Sequence, residues 1–286
     1  MPEQVPGAGR ESFGSRLGAA MASRGPLCVG IDPHPALLKN WGLDDDAAGL
    51  RRFSLTVLEA VAPLAAAVKP QVALYERHGS AGIAVLEEVL AAARDQSVLS
   101  IADAKRGDIG STMAAYADAW LRDGSPLAAD SVTLSPYLGF ESLRPALDLA
   151  AETGRGVFVL ALTSNPEGAS VQHVGGSDSV ARRITTAAAR ENARYVGNLG
   201  SVGLVVGATV GSALLDLDLD LAALRGPILA PGLGAQGATP ADLRATFGDA
   251  YPLVLGTSSR DILSAGPRQG GLREAAQRTL DGLQGQ

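Results

Sequence analysis

Short apolar runs alternate with longer Ala- and Leu-rich stretches along most of the chain. Runs of this kind, bounded by Gly, Pro, Asp or Ser, are typical of buried strands. The stretches between them, such as "GIAVLEEVLAAARDQ" and "ITTAAARENARYV", are typical of helices. The pattern predicts eight strands, at residues 26–32, 65–71, 97–105, 129–136, 156–163, 201–208, 226–232 and 251–258.

Strands that alternate with helices pair in parallel. Eight evenly spaced units therefore predict an α/β fold, a closed (β/α)8 TIM barrel. An open, doubly wound sheet is the alternative, and the even spacing favours closure. We see no further repeat and no second domain. We therefore expect one barrel domain over residues 1–286, with an N-terminal extension over roughly 1–25.

Two connections are too long to be plain turns. Residues 163–179, "TSNPEGASVQHVGGSDS", follow the fifth strand and are polar and glycine-rich, as functional lids often are. The segment "PHPALLKNWGLDDDAAG" follows the first strand and contains an acidic run that predicts a helix start. The tail "GGLREAAQRTLDGLQGQ" predicts a final amphipathic helix.

Composition narrows the classes of function. The chain is 46% hydrophobic, so it can build a large core, and its net charge of −6 argues against a general nucleic-acid surface. A small anionic ligand remains compatible with a locally positive pocket. The single cysteine, Cys28, allows no internal disulfide and fits a reducing compartment. We see no signal peptide and no membrane span, so a soluble cytoplasmic protein is expected.

Charged residues stand at the ends of the first three predicted strands. Side chains alternate between faces along a strand, so Asp103 and Lys105 share a face with the apolar residues that precede them. The same reasoning brings Lys69 to the barrel mouth from the second strand and Asp32 from the first. These four side chains are predicted to converge on one small volume. A structural ion-pair network at the rim is the alternative.

The loops after the seventh and eighth strands carry a second signal. "APGLGAQGATPADL" is a glycine-rich turn before a helix, and "LGTSSRDIL" offers Arg260 among small neighbours. Loops at these two positions of such barrels often hold a phosphate. Arg260 can add a bidentate contact to it, or can form an ordinary surface salt bridge.

The motif Asp103-x-Lys105-x-x-Asp108, within "DAKRGDIGST", resembles the signature of the orotidine 5′-phosphate decarboxylase family. Supporting segments are "VGIDPHP", "VKPQVALYE", "TSNPEG", "VGLVVGAT", "APGLGAQG" and "TSSRDIL". The resemblance spans residues 26–265 and is greatest to the longer bacterial branch, through "SPYLGFESLRP". It implies the conversion of orotidine 5′-phosphate to uridine 5′-phosphate, the last step of de novo UMP synthesis.

The resemblance also implies roles for individual residues. Lys105 would protonate C6 of the pyrimidine, Asp103 would face the leaving carboxylate, and Asp108 would act in the site of a partner subunit. The implied catalytic set is Lys105, Asp103, Asp108 and Lys69; the implied substrate-binding set is Asp32, Ile109, Thr112, Ser164, Gln236 and Arg260. The resemblance further implies a homodimer with shared sites and a nucleotide monophosphate as substrate. It implies no metal, no cofactor, and no nucleic-acid or membrane partner.

Two alternatives stay open. Magnesium-dependent sugar-phosphate decarboxylases and aldolases of the same suprafamily share the motif, but are expected to carry an acidic metal ligand where this chain has Lys69. The other alternative is a barrel that binds a phosphoribosyl ligand without catalysis. The complete set of Lys69, Asp103, Lys105 and Asp108 speaks against it.

Overall fold

Eight parallel strands close into a barrel in a computed structural model that describes residues 10–234 and 237–285. Each strand pairs with the next in chain order, and β8 pairs with β1. The strands are β1 Leu27–Ile31, β2 Ala67–Pro70, β3 Leu99–Arg106, β4 Ser131–Leu134, β5 Gly156–Leu162, β6 Val202–Val206, β7 Ile228–Pro231 and β8 Val254–Ser258. The predicted TIM barrel is confirmed, and the open-sheet alternative is wrong.

Helices connect the strands and surround the barrel. The α-helices are α1 Phe13–Arg24, α2 Pro35–Asn40, α3 Ala47–Val61, α4 Val72–Glu76, α5 Gly79–Asp95, α6 Gly110–Leu121, α7 Arg144–Glu152, α8 Ala169–Gln172, α9 Val180–Asn192, α10 Ala213–Asp216, α11 Pro240–Phe247, α12 Arg260–Leu263 and α13 Gln269–Gln284. Short 3₁₀ helices span Phe140–Leu143, Pro166–Gly168, Gly176–Asp178, Ala222–Leu224 and Gly248–Leu253. Within the described residues, none of these helices is both long and apolar enough to cross a lipid bilayer.

Local sequence explains where several helices begin. Asp46 closes the acidic run ahead of α3, and its carboxylate accepts the Gly49 N–H at 2.8 Å, which satisfies a donor that the first helical turn leaves free. Thr239 and Asp242 form a reciprocal capping box at the start of α11. The long segment 163–179 contains α8 and two 3₁₀ turns, so it is a folded connection.

The core has two layers. One lies between the strands and the surrounding helices, where mostly aliphatic side chains are buried. The other fills the inside of the barrel and consists of Phe13, Leu17, Cys28, Ala66, Ala67, Ile101, Phe158, Val205, Leu229 and Leu255. The small residues in this inner set leave room for its aromatic members, because a barrel interior has a fixed width that side chains must fill.

Helix α1 closes the barrel at the amino-terminal ends of the strands. The rings of Phe13 and Phe158 meet edge to face, with centroids 5.9 Å apart. Gly156 and Gly203 make space for them, since an added Cβ would lie 2.2 Å from the Phe13 ring and 2.4 Å from the Phe158 ring. The sequence placed this segment in an extension, and the structure packs it from residue 13 onward into the barrel interior.

A partly buried ion pair holds α1 in place. Arg16 contacts the Asp130 carboxylate at 2.5 Å. The same carboxylate accepts the backbone N–H of Ser100 at 3.0 Å. Asp130 therefore joins the helix to the start of β4 and to β3, and it does so with its charge compensated, as a half-buried carboxylate requires.

Replacing Phe13 by Ala should destabilise the whole barrel. Its fully buried ring lies in the inner core, and loss of such a ring costs about 3–5 kcal/mol of unfolding free energy. Urea unfolding followed by circular dichroism measures the loss. Ser23→Ala, on the exposed side of α1, is the control and should change stability by less than about 0.5 kcal/mol. Equal effects of the two substitutions would mean that α1 adds nothing to the core.

Candidate active site

A cavity of about 980 Å³ opens at the carboxyl ends of the strands. Parallel strands in a barrel all end at this rim, so it collects side chains that are distant in sequence. The lining comprises Asp32, His34, Pro35, Ala36, Leu37, Lys69, Gln71, Asp103, Lys105, Leu160, Thr163, Ser164, Asn165, Val205, Gly207, Leu229, Pro231, Gly232, Leu233, Thr257, Ser259, Arg260 and Ser264. Six predicted residues are in this set, namely Asp32, Lys69, Asp103, Lys105, Ser164 and Arg260.

Asp103 lies between two ammonium groups on one side of the cavity. Lys69 Nζ is 2.7 Å from its Oδ2 atom, and Lys105 Nζ is 2.6 Å from its Oδ1 atom. Asp103 and Lys69 are buried, with 8% and 5% of their surfaces exposed, whereas the Lys105 side chain is 46% exposed. The most accessible charge of the three is therefore the Lys105 ammonium.

Lys69 and Asp103 hold each other ionised. Burial alone would lower the pKa of Lys69, but the negative charges of Asp103 and Asp32 outweigh burial and raise this pKa. Burial would raise the pKa of Asp103, yet the charges of Lys69 and Lys105 hold it well below its usual range. Asp103 is thus a carboxylate over the whole physiological pH range, and it keeps Lys69 protonated.

Two neutral side chains complete the hydrogen bonding of Asp103. Gln71 Nε2 donates to Oδ2 at 3.1 Å, and Thr133 Oγ1 donates to Oδ1 at 3.0 Å. Each carboxylate oxygen therefore has a charged and a neutral donor, which fixes the carboxylate in position. We did not predict either neutral residue, although Gln71 lies two positions after Lys69 and shares its strand face.

Lys105 does not reach Asp103 by regular strand alternation. Its φ angle is +49°, in the left-handed region, and the pairing of β3 with β4 shifts between Ala102 and Arg106. The sequence prediction that Asp103 and Lys105 point into one volume is met, but by a bulge. Strain of this kind persists where surrounding contacts impose it, and it is common at functional sites.

Asp32 lines the cavity from the end of β1. Ser259 Oγ donates to its Oδ2 atom at 2.6 Å, while its Oδ1 atom is buried without a hydrogen-bond partner among the described residues. A buried carboxylate oxygen without a donor is unfavourable. A ligand hydroxyl at the cavity surface would satisfy it.

Apolar side chains form much of the opposite side of the cavity. Leu160, Val205 and Leu229 contribute from β5, β6 and β7, and Pro231 stands at the end of β7. One side of the site is therefore charged and the other is apolar, which suits a flat ring that carries a polar edge.

The loops after β7 and β8 meet at one end of the cavity. An added Cβ at Gly234, whose φ is +80°, would overlap the Asp261 carboxylate at 1.8 Å, so the β7 loop packs directly on the start of α12. Arg260, the first residue of α12, is exposed and lines the cavity. Gln236, also predicted to bind substrate, lies outside the described residues.

Helix α8 contacts the start of the segment that follows β5, where residues 163–165 line the cavity. Gln172 accepts the Thr163 N–H at 2.8 Å and donates to Thr163 Oγ1 at 2.8 Å. Ser164, the next residue, is exposed at the cavity. The two hydrogen bonds from Gln172 fix Thr163 and thereby help to position Ser164, the residue that follows it.

Three predicted residues lie apart from this lining. Asp108 accepts the N–H of Ile109 at 2.8 Å within its own loop, and Ile109 itself is 61% exposed. Thr112, on the first turn of α6, is exposed too. Among the residues that the structure describes, the cavity is built without these three.

Lysine usage is a signal that could have located the site more directly. The chain has three lysines, Lys39, Lys69 and Lys105, and fills its other basic positions with arginine. Two of the three meet at Asp103. Lysine differs from arginine in carrying a compact ammonium that can release a proton. Over residues 10–234 and 237–285, no group of three or more His, Cys, Asp or Glu side chains could hold a metal ion.

Comparison with known proteins agrees with this geometry. A sequence model described as the orotidine 5′-phosphate decarboxylase / HUMPS family matches residues 25–274. A protein of Salinispora arenicola named orotidine 5′-phosphate decarboxylase is 57% identical over 94% of this chain and 96% of its own length. One of the same name from Streptomyces coelicolor is 56% identical over 94% of this chain and 95% of its own.

Solved structures agree as well. A Streptomyces avermitilis structure superposes with a TM-score of 0.92 at 54% identity, covering 100% of this chain and 98% of the other. The OMP decarboxylase of Leishmania donovani superposes with a TM-score of 0.76 at 31% identity, covering 96% and 98%. The resemblance predicted from the Asp103–Asp108 motif is confirmed: the chain belongs to the orotidine 5′-phosphate decarboxylase / HUMPS family of enzymes.

Proposed function

We propose that this protein decarboxylates orotidine 5′-phosphate to uridine 5′-phosphate, without a metal or cofactor, as the last step of de novo UMP synthesis. The observation that carries the proposal is the network of buried Lys69, buried Asp103 and accessible Lys105 beside an apolar cavity side. Its relatives in S. arenicola and S. coelicolor bear the name of this activity. A proton donor next to a fixed carboxylate is what the reaction needs.

The substrate would lie along the cavity from Arg260 to Lys105. Its phosphate would bind at the β7–β8 end, where Arg260 offers a guanidinium. Its ribose hydroxyls would contact Lys69 and donate to the Asp32 Oδ1 atom, which has no donor among the described residues. The pyrimidine would then rest against the apolar side, with Ser164 at its polar edge and C6 beside Lys105.

In this arrangement the reaction proceeds by loss of CO2 and gain of a proton. The bond from C6 to the carboxyl carbon breaks, its electron pair stays on C6, and CO2 leaves. The pair lies in the ring plane, so the ring π system does not stabilise it. The Lys105 ammonium stabilises the developing charge and gives its proton to C6. Asp103, fixed by four donors, repels the substrate carboxylate and holds Lys105 in place.

Fixed charges are effective here because they need no rearrangement during the reaction. Preorganised groups in a site that excludes water stabilise developing charge far more than mobile water does. Binding of the phosphate at a distance from C6 can support closure of residues 163–179 over the ring, so that remote contacts contribute to the chemical step.

We further propose a homodimer in which Asp108 and Thr112 complete the site of the partner subunit. Both residues lie apart from the cavity of their own chain. Apolar surface surrounds them: Ile109 is 61% exposed, Tyr137 is 80% exposed and Leu138 is 53% exposed. The β3 and β4 ends that carry these residues are adjacent, since Ser135 N donates to Arg106 O at 2.7 Å. A second copy of the chain would cover this patch.

The magnesium-dependent sugar-phosphate branch is the alternative within the family. Lys69, protonated and paired with Asp103, occupies the position at which that branch is expected to have an acidic metal ligand. A barrel that binds a phosphoribosyl ligand without catalysis is the other alternative. A turnover assay with and without a chelator distinguishes the metal-free decarboxylase, the magnesium-dependent enzyme and the non-catalytic barrel.

The purified protein should convert orotidine 5′-phosphate in the presence of EDTA, seen as a loss of ultraviolet absorbance. Lys105→Cys should lose at least about 10²–10³ in rate, as for removal of one preorganised donor. Aminoethylation of the new thiol should then restore much of the activity, because it returns an amine at the same place. No turnover by the unsubstituted protein, or turnover that needs magnesium, would refute the proposed function.

Two features of the chain make this rescue selective. Cys28, its only cysteine, is fully buried, and burial raises the pKa of its thiol to about 12, so the reagent should leave it unmodified. Lys39→Cys, at an exposed position on α2, is the matched control and should keep full activity before and after aminoethylation.

Arg260→Ala should weaken binding of the phosphate. The loss in kcat/KM should be about 10- to 100-fold for orotidine 5′-phosphate, as for a charged hydrogen bond of roughly 1.5–3 kcal/mol. The nucleoside without phosphate should be affected less than about threefold, since it makes no contact there. Arg268→Ala removes an exposed arginine that is not among the lining residues and serves as the control. Equal losses for both substrates would place the phosphate elsewhere.

Mixing two inactive variants tests whether the site is shared. Lys105→Ala and Asp108→Ala chains, after subunit exchange, form heterodimers in which one site carries both substitutions and the other carries neither. Random pairing makes about half of the dimers mixed, so roughly a quarter of all sites are intact by two-fold symmetry. About a quarter of normal activity should return. If exchange is verified by mass and no activity returns, both residues serve one chain's site.

A further inference from the structure

The pairing of β3 with β4 is interrupted where the catalytic side chains lie. Ile101 pairs with Ser131 and Ala102 with Val132, and pairing resumes with Arg106 opposite Leu134. Residues 103, 104 and 105 of β3 therefore face one residue of β4, which is Thr133. A bulge of this kind redirects side chains and leaves backbone groups without their regular partners.

The bulge leaves the backbone N–H of Lys105 dependent on Thr133. This N–H donates to Thr133 Oγ1 at 2.9 Å, so a side-chain hydroxyl serves as the acceptor at the point where the ladder is interrupted. The ladder continues at once beyond it, with Ser135 N donating to Arg106 O at 2.7 Å. The contact matters because Lys105 has a φ of +49°, which is unfavourable for a residue with a Cβ.

The same hydroxyl holds the Asp103 carboxylate. Thr133 Oγ1 donates to Asp103 Oδ1 at 3.0 Å, and Thr133 is 1% exposed. A hydroxyl has one proton to give and can accept through its lone pairs. Since it accepts from the Lys105 N–H, its proton is directed to Asp103. One buried atom thus ties the backbone of Lys105 to the side chain of Asp103.

We propose that Thr133 is a positioning residue that sets the geometry between the Lys105 ammonium and the Asp103 carboxylate. This inference rests on the proposed decarboxylation, for which that geometry is decisive. Thr133 is not among the residues that line the cavity, so it acts through Asp103 and Lys105 and not by touching the substrate. Errors of about 1 Å in such a position can cost 10²-fold in rate.

Thr133→Val tests the role, because it keeps the shape of the side chain and removes the hydroxyl. We expect kcat to fall about 10- to 100-fold, since the Lys105 N–H and the Asp103 carboxylate each lose a partner. KM should change by less than about threefold, because the ground-state contacts remain. Thr133→Ser, which restores the hydroxyl, should recover kcat to within about threefold of the unsubstituted enzyme.

Ser131→Ala is the matched control. Ser131 lies two residues earlier on the same face of β4, is fully buried, and its hydroxyl has no hydrogen-bond partner among the described residues. Its removal should leave kcat within about twofold, as no catalytic contact is lost. If Thr133→Val does not fold, Thr133→Ala takes its place in the comparison with Thr133→Ser.

Amide hydrogen exchange provides a readout that does not depend on turnover. The Lys105 N–H should exchange at least about tenfold faster in Thr133→Val, because its acceptor is gone, and should be unchanged in Thr133→Ser and Ser131→Ala. Failure of the unsubstituted protein to convert orotidine 5′-phosphate would refute the decarboxylation. The exchange comparison would still test the hydrogen bond from the Lys105 N–H to Thr133. The positioning role is wrong if Thr133→Val keeps more than a third of kcat, if Thr133→Ser is as slow as Thr133→Val, or if the exchange rates are equal.

Discussion

The buried carboxylate of Asp103 is the constraint on which the site depends. Moving a charge out of water is costly, and the cost is recovered only where opposite charges and hydrogen bonds surround the group closely. Here Lys69 and Lys105 supply the charges, and Gln71 and Thr133 supply the remaining donors. Removing any one of these four donors leaves the Asp103 carboxylate poorly compensated, so the four side chains behave as one unit. The same compensation keeps the carboxylate ionised and Lys69 protonated, so these two charges are set before a ligand arrives.

The barrel makes this network possible because the packed core and the charged cavity lie at opposite ends of the strands. At the amino-terminal ends of the strands, Phe13 and Phe158 pack edge to face and fill the interior. At the carboxyl-terminal ends, the strands stop at a common rim and point polar side chains into one cavity. The packed interior at the amino-terminal ends of the strands holds the strands at fixed spacing. Because of that support, the bulge at Lys105 can persist despite its unfavourable backbone angle.

The cavity is asymmetric in a way that matches a two-part ligand. Charged groups gather on the side of β1, β2 and β3, while Leu160 and Leu229 present apolar surface on the other. Arg260 stands at the β7–β8 end, apart from the charged network. The proposed substrate would span these regions, so that its phosphate would orient it and bring its ring against Lys105 without a change in the network. Asp108 remains outside the cavity of its own chain, which fits a site that a second chain completes.

The sequence alone was enough to predict the barrel and most of the charged residues of its mouth. Strand alternation and β/α spacing are local properties, so they located every strand to within three residues at either end and brought Lys69, Asp103 and Lys105 to one rim. The sequence did not reveal the role of Thr133, the bulge opposite it, or the packing of α1 into the barrel. Each of these depends on which residue of a neighbouring element lies opposite, and that register is decided only when the closed barrel brings distant segments into contact.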